Sequence, residues 1–222
     1  MKSLLLLFCF AFSVVAKAQI GFTQKSDTLD FYREIQAQDM AELILLSNKS
    51  IGFLGDDYQR FYIHFTSVKK DEKNPYQYLV KGKTKVKENI CTFTGIVTIK
   101  TAITFKVDDD EEIPQDIREG KFTASVAIQE DKNQYGSGEI KGILTKGFIL
   151  KSGKMIDDDP LYYGDMPYEG NYFEGNWKSY KTGKSKTCMW HNGGGWKMKQ
   201  DLFHLGDDGD VYINPKYKKN GW

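Results

Sequence analysis

The chain has 222 residues, with 31 basic and 30 acidic side chains, and this length suits a single all-β domain. The near-neutral charge gives no overall positive field, which argues against a protein that binds nucleic acid. Proline is scarce (5 residues) and glycine is plentiful (21), so the composition favours many turns and no proline-rich linker between domains.

The first 18 residues have the pattern of a secretory signal peptide. Lys2 gives a positive start, an apolar run spans residues 4–12, and Ala16-Lys17-Ala18 places small residues where a signal peptidase cleaves. The run is shorter than the roughly 20 apolar residues of a membrane-spanning helix. We therefore predict cleavage after Ala18, an exported chain that is periplasmic or secreted, and no transmembrane segment after cleavage. Removal of two lysines leaves a net charge of about −1.

A helix is predicted over residues 30–47, within an N-terminal segment that covers residues 19–50. Thr28 or Asp30 would cap it, and its apolar side chains recur at close to helical spacing. Those side chains are Phe31, Ile35, Met40, Leu43, Ile44 and Leu46. We expect this helix to pack on the end of the β domain or to plug it.

Residues 51–222 are predicted to form one antiparallel β domain, because apolar and polar side chains alternate with a period of two. In the first clear strand, Phe61, Ile63 and Phe65 share one face. Later segments repeat the alternation, and their apolar parity comprises Tyr78, Val80, Phe122, Ala124, Val126, Ile128, Ile140, Leu144, Phe148, Leu150, Phe173, Trp177, Cys188 and Trp190.

The run from Cys91 to Val107 is too long for one straight strand, since strands usually have about 5–6 residues. The apolar residues at odd positions would share one face of this strand: Cys91, Phe93, Val97, Ile99, Ile103, Phe105 and Val107. A bend or bulge at Gly95 would let this strand curve. Long sequential antiparallel strands favour closure, which removes exposed edges. The predicted fold class is therefore all-β with one short N-terminal helix, either an antiparallel β-barrel or a strongly curled meander sheet.

Two stretches, Arg60 to Phe65 and Gly175 to Lys184, resemble uncharacterised exported proteins of Gram-negative bacteria. That resemblance carries no activity and no site residue. The long antiparallel strands are also similar to those of the calycin group, which includes the lipocalins. The lipocalin Gly-x-Trp signature lies on the first strand, whereas Gly175-Asn176-Trp177 comes late, so this second resemblance concerns the fold alone.

Three acidic clusters are candidates for calcium, which takes several oxygen ligands from flexible loops. They are residues 108–112, residues 157–159 and the group Asp207, Asp208 and Asp210. The third contains a glycine and is the best candidate, although it lacks the spacing of an EF-hand loop. The alternative is that all three are solvated loops at the rim of the sheet. No other cofactor is predicted.

Cys91 and Cys188 remain after signal cleavage. In an oxidising compartment they either form one disulfide or stay as two buried thiols, and the sequence leaves both alternatives open. His64, His191 and His204 lack the spacing of zinc ligands and are interpreted as surface or loop residues.

Aromatic residues are the candidate ligand-binding residues: Trp190, Trp196 and Tyr180. Exposed rings stack on sugars or anchor protein partners, and core packing is the alternative. A basic stripe along one strand face would suit an anionic partner such as an acidic glycan or phosphate, or would be the wet face of the wall. It consists of Lys81, Lys83, Lys85 and Lys87.

These features favour an exported, non-catalytic binding protein whose partner is a glycan, a small ligand or another protein. A hydrolase that acts on a polymer outside the cytoplasm is the first alternative. The sequence has no G-x-S-x-G motif and no other catalytic motif, which makes an enzyme the less favoured interpretation. A structural or surface-assembly protein is the second alternative.

Overall fold

The structure of the protein is a computed structural model. It describes residues 29–45, 51–105, 117–157, 172–191, 200–207 and 211–222. The signal peptide (residues 1–18), the acidic cluster 108–112, Trp196, Asp208 and Asp210 lie outside these ranges.

The predicted all-β, antiparallel fold is confirmed. Burial alternates along the strands, so that Phe61, Ile63 and Phe65 are buried while the residues between them are exposed. The described residues form the strands β1 (Leu29–Asp30), β2 (Ile51–Leu54), β3 (Gln59–Lys70), β4 (Gln77–Val86), β5 (Asn89–Phe105), β6 (Ile117–Glu130), β7 (Gly138–Lys151), β8 (Lys154–Asp157), β9 (Tyr172–Ser179), β10 (Ser185–His191), β11 (Phe203–Leu205) and β12 (Val211–Ile213).

The main strands pair in a closed ring. The order is β5-β4-β3-β2-β10-β9-β7-β6, and β6 pairs in turn with β5. β1 and β8 add to β5 and β7, and β11 pairs with β12 as a separate hairpin. Every pairing is antiparallel, so most of the ring is a meander of neighbouring strands.

The two ends of the ring differ in what closes them. The turns β2–β3, β4–β5, β6–β7 and β9–β10 all lie at one end, which we call the hairpin end. The β3–β4 and β7–β8 turns lie at the other end. The N-terminal segment packs there, and we call this the plug end.

The bulge of the long strand β5 lies at a different place from the one predicted. Its register against β6 shifts between Ile99 and Thr101, and not at Gly95. An extra residue in one strand reverses which parity faces inward. As a result, Ala102 and Thr104 are buried beyond the bulge, and Ile103 is half-buried rather than a core residue of the predicted parity.

The N-terminal helix predicted over residues 30–47 is not continuous. The structure has a 3-10 helix at Glu34–Ala37 and a short helix α1 at Ala41–Leu45, separated by extended backbone at Gln38. Just before α1, Asp39 Oδ1 accepts a hydrogen bond of 3.0 Å from the Ala41 N–H. Of the two predicted caps, Asp30 lies in β1 and Thr28 lies outside the described residues. The break has a tertiary cause, because Tyr78 and Lys70 of the ring bind the backbone between the helices.

The plug segment, residues 31–45, closes its end of the ring with apolar side chains, as expected. Its buried residues are Phe31, Ile35, Met40, Leu43 and Ile44. The Met40 N–H donates to the Tyr78 hydroxyl at 3.0 Å, and Lys70 Nζ donates to the Gln36 carbonyl at 2.8 Å. These polar contacts satisfy backbone groups that packing would otherwise leave without partners.

Large rings fill the interior over strand glycines. An added Cβ at Gly120 would lie 2.3 Å from Phe148 Cζ, and one at Gly142 would lie 2.6 Å from Phe173 Cζ. Glycine therefore provides the notch in which each ring lies, a device that also helps a curved sheet to close.

The C-terminal segment packs on the outside of the ring. Asp201 accepts hydrogen bonds from the Tyr58 hydroxyl at 2.7 Å and the Tyr217 hydroxyl at 2.9 Å. The hydrogen bond from Tyr58, with that from Tyr217, holds the pKa of Asp201 below its ordinary value. Trp222 donates from Nε1 to the Tyr58 carbonyl at 2.6 Å, which fixes the C-terminal residue beside β3.

Candidate functional site

Of the three aromatic residues predicted to bind a ligand, the structure describes Trp190 and Tyr180, which lie in different parts of the ring. Trp190 is 2% exposed and stacks on Phe173 with ring centroids 3.7 Å apart. It is a core residue, and the exposed platform predicted for it is not found, because burial leaves no ring face for a ligand. Trp196 lies outside the described residues.

Tyr180 is half-buried in the turn after β9, at the hairpin end. Its hydroxyl is buried without a hydrogen-bond partner among the described residues, and Lys132 Nζ lies 5.3 Å from its ring centroid. Burial, followed by the charges of Glu139 and Glu130, raises the pKa of Tyr180. Lys132 lies against the ring of Tyr180, and ligand binding at Tyr180 stays a prediction.

The predicted calcium cluster is described only at Asp207, which is exposed. Within the described ranges, no group of three or more His, Cys, Asp or Glu side chains is placed to hold a metal ion. The calcium site at Asp207, Asp208 and Asp210 stays a prediction.

Cys91 and Cys188 are both buried free thiols in the structure, which is one of the two arrangements that the sequence left open. Burial raises the pKa of both thiols, most strongly for Cys188, and the charge of Glu130 acts in the same direction. His64 and His204 are exposed, as interpreted from the sequence. His191 is buried instead, where the outer face of β10 is covered, as the burial of neighbouring Met189 also shows.

Glu130 is the centre of a polar network that the sequence interpretation missed. Its carboxyl group, on a residue 5% exposed, accepts from the Gly138 N–H at 2.7 Å, from Trp177 Nε1 at 3.0 Å and from the Thr84 hydroxyl. All three contacts join strands of the ring to one another, so the network supports the hairpin end. Glu130 continues the inward parity of Phe122 to Ile128 along β6, and that parity was the available signal.

The outer face of β3, β4 and β5 carries basic side chains. These three neighbouring strands contain no aspartate and no glutamate. Their basic residues are Arg60, Lys69, Lys70, Lys81, Lys83, Lys85 and Lys100. We call their outer face the basic wall. The sequence interpretation found the lysines but missed the absence of acidic residues from the three strands.

The basic stripe forms the centre of this wall. Lys81 and Lys83 are exposed on β4, about 7 Å apart because a strand rises roughly 3.3 Å per residue. The Lys85 side chain is 42% exposed and forms an ion pair of 3.6 Å with the turn residue Glu88. Lys87 is not part of the strand face as predicted, because β4 ends at Val86 and Lys87 begins the turn.

Each residue of the stripe lies between a residue of β3 and a residue of β5. Lys83 pairs with His64 and with Thr92, and its neighbour Lys85 pairs with Tyr62 and Ile90. Hydroxyl, imidazole and aromatic groups therefore surround the ammonium groups. The exposed side chains combine positive charge with hydrogen-bonding and apolar surface.

A bulge in β3 enlarges the wall toward the plug end. The register of β3 against β4 shifts between Phe65 and Ser67, so that Ser67 and Lys69 face outward although the earlier residues of that parity face inward. A groove of about 610 Å³ results. It is lined by Ser67, Lys69, Leu79, Val80, Lys81, Thr94, Gly95, Ile96, Ala127 and Gln129.

Tyr62 is the exposed aromatic residue of the wall. The guanidinium carbon of Arg60 lies 4.7 Å from the Tyr62 ring centroid and 4.8 Å from that of Trp222. Arg60 is therefore held between two rings by cation–π contacts. Its Nε is buried without a hydrogen-bond partner among the described residues.

The facing wall, formed by β7, β9 and β10, has mixed charge instead. Lys141 Nζ lies 2.7 Å from Glu139, and Lys178 pairs with Glu139 across the strands. The hydrogen bond from Lys141, together with the charges of Lys141 and Lys178, lowers the pKa of Glu139. Lys141 and Lys178 are thus compensated by the carboxylate of Glu139.

Comparison with protein-family models, with curated proteins and with solved structures finds no match to this chain. In the described part of the chain, no helix combines the length and hydropathy needed to span a membrane. The resemblance to exported proteins of Gram-negative bacteria stays a prediction, as does export itself.

Proposed function

We propose that the protein is an exported, non-catalytic binding protein whose basic wall binds an extended anionic polymer. The observation that carries this proposal is the absence of acidic residues from β3, β4 and β5, together with the exposed lysines of β4. A polymer lying along β4 would meet Lys81, Lys83 and Lys85 in turn.

The near-zero net charge does not oppose this proposal, because the charges are segregated. Acidic residues lie at the turns that flank the wall, such as Asp71, Glu72 and Glu88, and on the facing wall. Local potential depends mainly on charges within about 10 Å at moderate ionic strength, so the lysines of β4 can attract an anion although Glu88 lies 3.6 Å from Lys85 and Asp131 lines a groove with Lys81 and Lys83.

The chemistry of the wall supports binding over catalysis. General acid–base work needs a pair of titratable groups within reach of the same substrate atom. His64 is flanked on the wall by Lys83 and by threonines, and no carboxylate occurs in these three strands to pair with it. These three strands supply positive charge and hydrogen-bonding groups, which supports binding of an anion.

The test is a binding titration with two anionic polymers, polygalacturonate and inorganic polyphosphate, with neutral dextran as the uncharged comparison. We expect both anionic polymers to bind, and the affinity to fall as salt is added. The double variant Lys81→Glu/Lys83→Glu replaces attraction with repulsion. It should weaken both interactions about tenfold or more, which corresponds to about 1.4 kcal/mol.

The matched control is Lys184→Glu/Lys186→Glu, which has the same spacing and the same change in net charge. Both lysines are exposed, at the start of β10 and away from the basic wall. The control should bind within about twofold of the unmodified protein. Equal weakening by the two double variants would show that only total charge matters, and absence of binding to both polymers would overturn the proposal.

A further inference from the structure

The basic wall offers more than positive charge. Tyr62 is 42% exposed and lies in the same cross-strand row as Lys85, one row away from Lys83 and His64. A simple polyanion such as a chain of phosphates needs only the ammonium groups. An exposed ring beside them adds an apolar face that such a ligand does not use.

The position of Tyr62 is fixed by its neighbours. Arg60 lies against its ring, Trp222 lies against Arg60, and the Trp222 indole is anchored by its 2.6 Å hydrogen bond to the Tyr58 carbonyl. A ring held in this way loses less conformational freedom when a ligand stacks on it. The C-terminal segment thus prepares an aromatic platform on the edge of the basic wall.

The groove at the other end of the stripe has the same mixed character. Leu79 is 48% exposed and Ile96 is 39% exposed, while Thr94 and Gln129 line the same groove with a hydroxyl and an amide. Sugar rings present apolar C–H faces and a rim of hydroxyl groups, and this combination matches such a lining. Lys81 links the groove to the stripe, so one extended chain can contact both.

We infer that the anionic polymer is an acidic polysaccharide, with Tyr62 stacking on a sugar ring and Lys83 and Lys85 binding its carboxylates. This inference rests on the proposed function of the basic wall. It adds the class of polymer and a residue, Tyr62, that distinguishes a polymer of charged sugar rings from a polyanion without rings.

The experiment compares the effect of Tyr62→Ala on polygalacturonate and on inorganic polyphosphate. We expect about a fivefold or greater loss of affinity for polygalacturonate and a change within about twofold for polyphosphate. Tyr62→Phe, which keeps the ring, should bind polygalacturonate nearly as well as the unmodified protein. Tyr62→Thr serves as a second ring deletion that retains a good strand-forming residue, should the alanine variant melt at a lower temperature.

The control is Tyr135→Ala, which removes a tyrosine that is 81% exposed in the β6–β7 turn, with β4 and β5 between it and Tyr62. It should change neither affinity. If polyphosphate binds and polygalacturonate does not, or if Tyr62→Ala affects both polymers equally or neither of them, the inference fails while the proposed function stands. If the unmodified protein binds neither polymer, both fail together.

Discussion

The two ends of the ring are closed by different chemistry. At the plug end a separate segment contributes buried apolar side chains such as Phe31 and Ile35, both 1% exposed or less. At the hairpin end the strands close on one carboxyl group, Glu130, which accepts hydrogen bonds from Gly138, Trp177 and Thr84. One end is closed by apolar area and the other by directed polar contacts.

This difference implies different sensitivities. Apolar closure loses free energy in proportion to the area and volume removed, whichever atom is deleted. Polar closure depends on the acceptor character of a single group, so a change of one atom without any change in volume is enough to weaken it. Substitutions at the two ends separate these two mechanisms.

The largest effect is expected at the plug end. Phe31 packs on Phe148 with ring centroids 5.9 Å apart, and its backbone N–H donates to the Ala102 carbonyl at 3.0 Å. Phe31→Ala should lower the free energy of unfolding by about 3–5 kcal/mol, because it removes a buried ring and leaves a cavity. Urea unfolding followed by tryptophan fluorescence measures this loss.

The comparison variant is Tyr135→Ala, whose exposed ring should change the free energy of unfolding by less than about 0.5 kcal/mol. A loss below about 1 kcal/mol for Phe31→Ala would mean that the plug segment is not integral to the folded ring.

A smaller loss, about 2 kcal/mol, is expected for Glu130→Gln at the hairpin end. The amide has nearly the same volume but replaces one acceptor oxygen with a donor N–H₂, which must face Thr84, Gly138 or Trp177. If the N–H₂ faces Gly138 and Trp177, both donors lose their acceptor. If it faces Thr84, that hydroxyl must turn to accept and is left with only the 3.5 Å contact to the Cys91 carbonyl for its own proton. Urea unfolding at neutral pH, with Glu139→Gln at a half-buried position as the control, checks the prediction. Equal stability of the two variants would show that the network adds nothing to folding.

The period of two predicted most of the sheet, because a strand with one buried face must alternate. It also predicted that Cys188 and Trp190 share a face, and both are buried. The bulge in β5 was not predictable from that pattern. Ala102 and Ile103 are both apolar, so either parity satisfies the sequence near residue 100, and only pairing with β6 decides between them.

In the plug segment, the sequence pattern predicted the buried residues but not the backbone conformation. Its apolar residues were identified correctly, but the prediction of a continuous helix was wrong, because contacts with Tyr78 and Lys70 of the ring outweigh helical spacing.

The basic wall was predicted in part. The lysines are visible on β4, whereas the contact between Arg60, Tyr62 and Trp222 joins residues more than 150 positions apart and needs the fold.

The smallest effect concerns the thiols of Cys91 and Cys188 at the hairpin end. They change the free energy of unfolding measurably only at alkaline pH. Burial raises the pKa of Cys188 well above its ordinary value of 9.0, and that of Cys91 is raised as well. In the unfolded chain both thiols ionise near the ordinary value, whereas the folded protein keeps them protonated. The unfolded state therefore binds fewer protons above that pH, and stability must fall as pH rises.

The stabilising contribution of the protonated thiols is fully present below the unfolded pKa and is lost as pH rises toward the folded one. We expect the free energy of unfolding to fall more steeply between about pH 8 and pH 10 for the unmodified protein than for Cys91→Ala/Cys188→Ala. The double variant has lower stability at every pH because it loses packing, so the slopes are compared and not the absolute values. Tyrosine ionisation is common to both proteins and cancels in the difference. Parallel pH dependences would mean that these thiols ionise as readily in the folded chain as in the unfolded one, and that the hairpin end admits water beside Glu130.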